Sequence, residues 1–302
     1  METGILLESG TNELEILEFR VGQNYYGINV AKIREILPYQ KPTPIPNADA
    51  RIEGIFMPRD EIISIVDLSR VMNLPMSSST EGDMYIVTNF NKLNTAFHVQ
   101  SVEGIHRVSW TDIIEPDSTI NAAGMGMATG IVRIEGRLII ILDFEKIVAE
   151  INPETGLKVS DVDHMVGRKR VNSPILIAED SPLLGKMLLD CLKRAGFENI
   201  DITSNGRECW DKLTAYDEKG ILDEKVACVI TDIEMPQMDG HHLTKLIKTN
   251  EHMEHIPVVI FSSLINDEMY KKGESLGADM QLSKPEIGQL VDAIDQILHI
   301  EA

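Results

Sequence analysis

Ala227-Cys228-Val229-Ile230-Thr231-Asp232-Ile233-Glu234-Met235-Pro236-Gln237-Met238-Asp239-Gly240 begins as an apolar run, stops on one carboxylate and turns through Met-Pro into Asp-Gly. Three other runs share this design. Ile175-Leu176-Ile177-Ala178 precedes Glu179-Asp180, Val258-Val259-Ile260-Phe261 precedes Ser262-Ser263, and Met280-Gln281-Leu282 precedes Ser283-Lys284-Pro285. Strands buried on both faces of a parallel sheet read as continuous apolar runs, and open sheets of this kind bind ligands beyond the carboxyl ends of their strands. The four polar clusters are therefore expected to face one another along one edge. Carboxylates there suit a hard divalent cation, and a hydroxyl with an ammonium suits a phosphoryl group. The pattern predicts a phosphate-accepting switch.

Outward from this edge the periodicity is helical. Ser181-Pro182 is a good N-cap and first-turn pair, followed by Leu183, Leu184, Met187, Leu188 and Leu192 at helical spacing, with Gly196 as the stop. Asn199 to Thr203 reads as a short strand, and Cys209, Trp210 and Leu213 as the inward face of the next helix. Further helices are expected after Asp239-Gly240, Asn266-Asp267 and Pro285-Glu286. Strands separated by helices of this length imply right-handed parallel crossovers. The expected fold is a five-stranded α/β layer structure.

Within it Asp232 is the expected nucleophile, since a carboxylate can attack a phosphoryl group to give an acyl phosphate. Glu179, Asp180 and Asp232 supply oxygens for Mg²⁺, Lys284 offsets charge on the transferring oxygens, and Ser262 can donate to the new phosphate. The Lys284-Pro285 bond is a candidate for the cis form. Each residue alone has a blander explanation. Acidic pairs favour helix N-termini, a lone Asp often makes an Asx-turn, and Ser or Lys can simply line a loop. What argues for chemistry is their joint occurrence at successive strand ends.

Residues 173 to 299 resemble the receiver domain of two-component response regulators. The matching residues are Glu179-Asp180, Asp232 through Gly240, Ser262 and Lys284-Pro285. The resemblance implies a flavodoxin-like (CheY-like) parallel sheet and an Asp232 that takes phosphate from a kinase phosphohistidine. It also implies that the backbone carbonyl of Glu234 completes the Mg²⁺ shell. Where many receivers place a Tyr or Phe rotamer switch, three residues before the lysine, this chain has Gln281. With Ser262 and Gln281 as the switch pair, the missing ring burial predicts a partial population shift, roughly the 1–3 kcal/mol of ordinary allosteric coupling. A dehalogenase-type phosphatase would want Asp rather than Glu234. His241-His242, His252 and His255 match no zinc template and read as exposed histidines, and Gly273 and Gly277 form no phosphate-binding loop.

The first half has another texture, rich in β-branched residues and glycine turns. Gly54-Ile55-Phe56 through Val71 lines up with Gly130-Ile131-Val132 through Ile147, each reading as two strands across a charged turn and then an N-cap Asp, Asp67 or Asp143. A weaker echo pairs Tyr26 through Ile36 with Thr95 through Ile105. A sandwich is the alternative, but the duplicated strand–strand–helix unit favours two small five-stranded barrels, packed together because neither alone holds a large core. Pro38, Pro42, Pro44 and Pro46 mark a loop that cannot join a central strand. The region holds no convincing catalytic set, and its histidines, His98 and His106, read as structural or exposed. That absence points to binding.

Residues 14 to 150 are similar to the CheW family of chemotaxis coupling domains. The similarity rests on Tyr26-Gly27-Ile28-Asn29-Val30, Ile33-Arg34-Glu35-Ile36, Pro44-Ile45-Pro46-Asn47, Glu53-Gly54-Ile55, Arg59 and Ile62 through Leu68. Where the family commonly has Asn-Leu-Arg-Gly, this chain has Met57-Pro58-Arg59-Asp60. The order of CheW-like domain and receiver resembles the CheV family of adaptors. That implies a front domain joining chemoreceptor tips to the histidine kinase CheA, with Ile33, Glu35, Gly54 and Arg59 at groove positions. The expected organisation is a coupling domain over 14–150, a polar linker over 151–172 and a receiver over 173–302. An adaptor tuned by phosphorylation is the first reading, and a response regulator serving mainly as a phosphate sink is the alternative. No classical enzyme activity is expected in either.

Composition agrees. The chain has 302 residues, 43% hydrophobic and 25% charged, ordinary for about two globular domains. A net charge of −20 opposes nucleic-acid binding, and Gly167-Arg168-Lys169-Arg170 reads as a solvated linker run. The start lacks a basic secretory region, and no apolar run approaches a membrane span. Cys191, Cys209 and Cys228 suggest neither disulfides nor zinc. A cytoplasmic protein recruited to receptor arrays is expected.

Overall fold

The computed structural model describes residues 12–75, 79–90, 93–114, 126–153, 162 and 168–300. It divides into two compact units, Leu14–Thr155 on the one hand and Gly156–Ala302 with Met1–Glu13 on the other.

The first unit contains β1 (Glu13–Val21), β2 (Asn24–Asn29), β3 (Ile33–Pro38), β4 (Ile52–Phe56), β5 (Ile63–Asp67), α1 (Leu68–Val71) and β6 (Met84–Phe90). It continues with β7 (Leu93–Val99), β8 (Ser101–Ser109), β9 (Ala128–Ile134), β10 (Arg137–Leu142) and α2 (Phe144–Ile151). The strands make two five-stranded sheets, ordered β8-β1-β2-β10-β9 and β3-β6-β7-β5-β4. The duplication seen in the sequence is a duplication of topology. β9–β10 and β4–β5 are antiparallel hairpins, and the second strand of each lies parallel to β2 or β7. Each hairpin runs into a helix capped by its Asp: Asp67 accepts from the Ser69 and Arg70 N–H groups, Asp143 from that of Lys146.

The weaker echo has a sharper meaning than packing of two copies. β3 follows β2 after only the 3-10 turn Val30–Lys32, yet it joins the other sheet; β8 likewise leaves β7 for the sheet of β1. The two halves exchange their equivalent strands. A bridge beyond each exchanged strand, Thr43 to Ile55 and Ile114 to Ile131, reaches the far strand of the same sheet and rounds it into a small barrel. Pro38 ends β3 at the margin of its sheet, where a missing N–H is tolerated. The interlacing also explains the cores. Ile16, Val132, Ile139 and Ile141 fill one barrel, and Ile63, Ile65, Tyr85 and Val87 the other. A third cluster is shared, with Phe97 edge-on to Phe144 at a centroid separation of 4.5 Å.

The second unit is β11 (Ile175–Ala178), α3 (Pro182–Arg194), β12 (Ile200–Thr203), α4 (Gly206–Glu218), α5 (Leu222–Lys225), β13 (Cys228–Thr231), α6 (Gly240–Thr249), β14 (Val258–Ser262), α7 (Asp267–Ser275), β15 (Met280–Ser283) and α8 (Ile287–Ile297). All pairings in its sheet are parallel, in the order β12-β11-β13-β14-β15. β11, β13 and β14 are buried along their whole length, which is why they read as continuous apolar runs. One face packs on α3 and α8 through Leu188, Leu192, Leu290 and Ile294, the other on α4 and α6 through Leu213, Leu243 and Ile247. The chain reverses direction across the sheet between β11 and β13, the place where such folds bind ligands. Three helices start where the sequence reading put them, with Ser181, Asp239 and Asn266 accepting backbone N–H bonds of the first turn, and Asn205, not singled out from sequence, caps α4 in the same way.

Part of the expected linker belongs to this unit. Val162 and Val171 are buried in its core, and Val171 bridges to Phe197. Arg168 is not a solvated linker residue: its side chain is 13% exposed and pairs with Asp295 at 2.5 Å. Residues 154–161 and 163–167 of that stretch lie outside the described residues. Among the described residues no helix is long and apolar enough to cross a membrane.

Candidate functional site

The strand ends of the second unit bring the four polar clusters together. Lys284, beyond β15, places its Nζ 2.8 Å from Glu179 Oε2 and 2.6 Å from Asp232 Oδ2, with all three side chains buried or nearly so. One oxygen each from Glu179, Asp180 and Asp232 falls within a 4.8 Å cluster, the one group of that kind among the described residues. Three carboxylates against one ammonium leave an excess of negative charge. Burial first, and then the Asp232 carboxylate, push the Glu179 carboxyl up to about 7, with Lys284 pulling the other way. A hard-oxygen donor set with uncompensated charge fits a divalent cation such as Mg²⁺.

Local backbone geometry fixes these groups. The Asp232 N–H donates to the Ala178 carbonyl and the Glu179 N–H to that of Thr203, so each acidic residue is the next rung of the ladder below it. Asp232 Oδ1 accepts the Ile233 N–H at 2.6 Å. Thr231 Oγ1 donates to the Asp232 carbonyl, and α6 starts so close that a Cβ on Gly240 would lie 2.8 Å from the Asp232 carbonyl carbon and 2.9 Å from Thr231 Oγ1. The Asp-Gly that closes the opening motif is thus a steric requirement of the acidic strand end. The following loop is held by its own polar bonds: Gly240 N–H donates to Ile233, and Asn12, grouped with this unit, donates to the Gln237 carbonyl and accepts from Asp239 N–H. Glu234 lies in that loop, partly buried.

Ser262 is fully buried at the end of β14, and its Oγ accepts the Leu264 N–H at 3.2 Å. The Lys284–Pro285 peptide is cis. Gln281 occupies a niche the sequence did not suggest. Its Nε2 donates to the Tyr270 carbonyl of α7 at 2.7 Å, while Oε1 is buried without a partner. Gly273 of α7 makes the room, because a Cβ there would lie 2.6 Å from the Gln281 amide carbon. His241 departs from the exposed reading. It is buried on α6, and burial, with help from Lys272, pushes its imidazole down to about 3. His252 and His255 are surface residues paired with Asp217 and Asp223. Burial pushes the Cys209 and Cys228 thiols up to about 12, as small apolar residues require.

In the first unit, Arg59 reaches Glu35 with an ion pair of 3.0 Å, although they lie on the β4–β5 turn and on β3. Arg59 and Asp60 both sit at positive φ, 53° and 68°. Asp60 therefore adopts a left-handed conformation that glycine takes more readily. Gly54 lies in β4 beside the loop after β3, where a Cβ would be 2.9 Å from the Thr43 carbonyl carbon. Ile33 starts β3 and packs on the shared core, away from the Glu35–Arg59 pair in side-chain role.

Comparison with known proteins identifies both halves. Residues 15–152 match the CheW-like domain family and residues 175–295 the response regulator receiver domain family. The chain is 30% identical over 301 residues to chemotaxis protein CheV3 of Helicobacter pylori, covering 95% of each chain. It is 30% identical over 309 residues to chemotaxis protein CheV2 of the same organism, again covering 95% of each. The chain belongs to the CheV family of chemotaxis adaptors. The front half alone is 30% identical to chemotaxis protein CheW of Treponema pallidum over 139 residues, 45% of this chain and 82% of that one. As a CheV-family protein it joins a CheW-like coupling domain to a receiver of the response-regulator fold. Two of its features had no signal in the sequence: the Gln281–Gly273 niche, and the pairing of His98 with two carboxylates described below.

Proposed function

We propose that the front domain couples chemoreceptor tips to the histidine kinase CheA and that phosphorylation of Asp232 tunes this coupling. The acceptor site is supported above all by Lys284 bridging Glu179 and Asp232 inside a cluster of three carboxylates. Asp232 attacks the phosphorus of a phosphohistidine; the new bond is Oδ–P, the broken one P–N, and the imidazole leaves with a proton taken from solvent. Lys284 holds the nucleophile and then faces the added charge. Ser262 gives up the Leu264 N–H to donate to the phosphoryl group. Glu179, Asp180, Asp232 and the Glu234 carbonyl would hold Mg²⁺, which when bound offsets charge on the phosphoryl oxygens. The Gln281 amide holds α7 at Tyr270, a tether that a polar side chain can release by degrees rather than in one step.

In the front domain, the Glu35–Arg59 pair and Gly54 mark the partner-binding face. The protein works in the cytoplasm at receptor arrays, as a phosphate acceptor rather than a classical enzyme. The test is receptor-coupled kinase activity with wild type and Asp232→Ala, with and without a phosphodonor. Phosphodonor should change kinase output in the wild type and leave the variant's unchanged. Equal responses in both would defeat the reading.

A further inference from the structure

The front domain buries a histidine between two carboxylates, in surroundings that have nothing to do with phosphate. His98 on β7 has its Nδ1 2.9 Å from Glu53 Oε2 and its Nε2 2.9 Å from Asp83 Oδ2. All three side chains are between 5% and 14% exposed. Tyr39 lies over the imidazole at a centroid distance of 4.9 Å and donates its hydroxyl to Glu53, and Tyr85 meets the ring edge-on at 5.6 Å. The charged groups that face this cluster from neighbouring elements are Asp67 at the end of β5, opposite His98 in the ladder, and Arg70 of α1, which pairs with Asp67 at 3.1 Å. The remaining titratable neighbours, Tyr39 and Tyr85, are held neutral by burial and the nearby carboxylates.

A neutral imidazole has one N–H, so it can satisfy one carboxylate and must turn a lone pair on the other. With both carboxylates ionised, the imidazolium is the form that donates to each of them. The three residues come from separate places: Glu53 from the irregular step of β4 between Ile52 and Gly54, Asp83 from the entry to β6, and His98 from β7. The charge therefore pins the outer hairpin to the interior of its sheet.

We propose that the Glu53–His98–Asp83 triad is a pH-responsive pin, and that losing the imidazole proton frees Glu53 and loosens the β4 strand that carries Gly54. Burial opposes the charge on His98, but the hydrogen bonds and fields of the two carboxylates outweigh it and hold its pKa above the ordinary value of 6.5. The stabilisation is thus fully present below 6.5 and is lost as pH rises through the higher folded-state value. Between the two carboxylates, Glu53 is the one that leaves, being the more exposed and lying on the hairpin rather than at the core of the sheet. The consequence for partner binding rests on the proposed role of Gly54, whereas the pin itself does not.

The test uses the full chain without partners or phosphate. Nitrogen-15 NMR of the His98 ring should report both nitrogens protonated near pH 6.5 and a titration midpoint above it. Amide exchange over residues 51–56, corrected for the intrinsic pH dependence, should speed up as pH rises past that midpoint. His98→Gln, neutral at every pH, should abolish this acceleration, and Asp83→Asn should lower the midpoint. A wild-type midpoint at or below 6.5 overturns the proposal even if His98→Gln fails to fold. So does equal pH dependence of exchange in wild type and His98→Gln. Weaker receptor binding above the midpoint would extend the pin to function; unchanged binding with a confirmed pin would count against Gly54 as a contact instead.

Discussion

Gly240→Ala should damage phosphate acceptance through a residue that touches no phosphate. At an ordinary helical position the change would stabilise by up to about 1 kcal/mol, because alanine is the better helix former. Gly240 is not ordinary. Its Cβ would lie 2.8 Å from the Asp232 carbonyl carbon, with the carbonyl oxygen closer still. Carbon atoms rest at about 3.5 Å or more, so α6 or the end of β13 must retreat by roughly 1 Å. Neither can do so freely: the Gly240 N–H is bonded to Ile233, Asp239 caps α6 through His242 N–H, and Asp239, Gly240 and Thr231 are all buried. Overpacking of this kind costs about 1–3 kcal/mol and a disturbed cap about 1 more. The receiver should therefore lose about 2–4 kcal/mol. Because a displacement of about 1 Å at a reacting group can cost on the order of 100-fold in rate, labelling of Asp232 by a small-molecule phosphodonor should slow by a comparable factor.

Gly288→Ala is the internal control. It sits in α8, where a Cβ would meet nothing within 4 Å, and should stabilise slightly and label normally. Urea denaturation of the receiver transition and the initial rate of phosphodonor labelling, measured on both variants, decide the matter. If Gly240→Ala labelled within threefold of wild type and kept its stability, the steric reading of the Asp-Gly motif would be wrong.

Other expectations follow from the same geometry. Lys284→Met leaves Glu179 and Asp232 buried beside each other and should cost the receiver about 3 kcal/mol in chelator, partly recovered by excess Mg²⁺ in a urea titration; no loss would mean that the bridge is weak. Gln281→Ala removes the bond to the Tyr270 carbonyl, so amide exchange across α7 should rise by the few-fold that about 1 kcal/mol allows; unchanged exchange would show that the amide does not hold α7. Asp60→Gly relieves a left-handed Asp and should raise the stability of the front unit by about 1 kcal/mol, read as a shift in denaturation midpoint. Arg59→Ala should weaken receptor or kinase binding in calorimetry while leaving the fold intact, since the Arg59 side chain is 78% exposed and its loss opens no cavity.

The receiver was legible because its chemistry is written in local pieces. Each candidate side chain closes a short apolar run, and a doubly wound parallel sheet brings the ends of those runs to one edge. The Ser-Pro, Asp-Gly and Asn-Asp helix starts are equally local, since a cap bonds only to its own first turn. His241 misled for the opposite reason. Nothing in Asp239-Gly240-His241-His242 signals burial, and the groups that act on its ring, Lys272 and the Met269 backbone, belong to α7, about thirty residues on.

The front domain divides along the same line. Each hairpin with its N-cap aspartate fits in a unit of eighteen residues, Gly54–Val71 and Gly130–Ile147, so the duplication was visible, and their strands were found. Strand exchange was not, because nothing in Val30–Lys32 distinguishes a turn that keeps β3 beside β2 from one that sends it to another sheet. The selection lies in what β3 meets: Ile33 and Ile36 find the shared core only by pairing with β6. The same holds for His98. Alone on a strand it reads as a satisfied or exposed histidine, and its charge is set by Glu53 and Asp83, 45 and 15 residues away. The side chains proposed to handle phosphate sit at strand ends and so are legible one residue at a time. The features around the proposed binding face, the Glu35–Arg59 pair and the His98 contacts, are made by segments distant in sequence, and they exist only once those segments have paired.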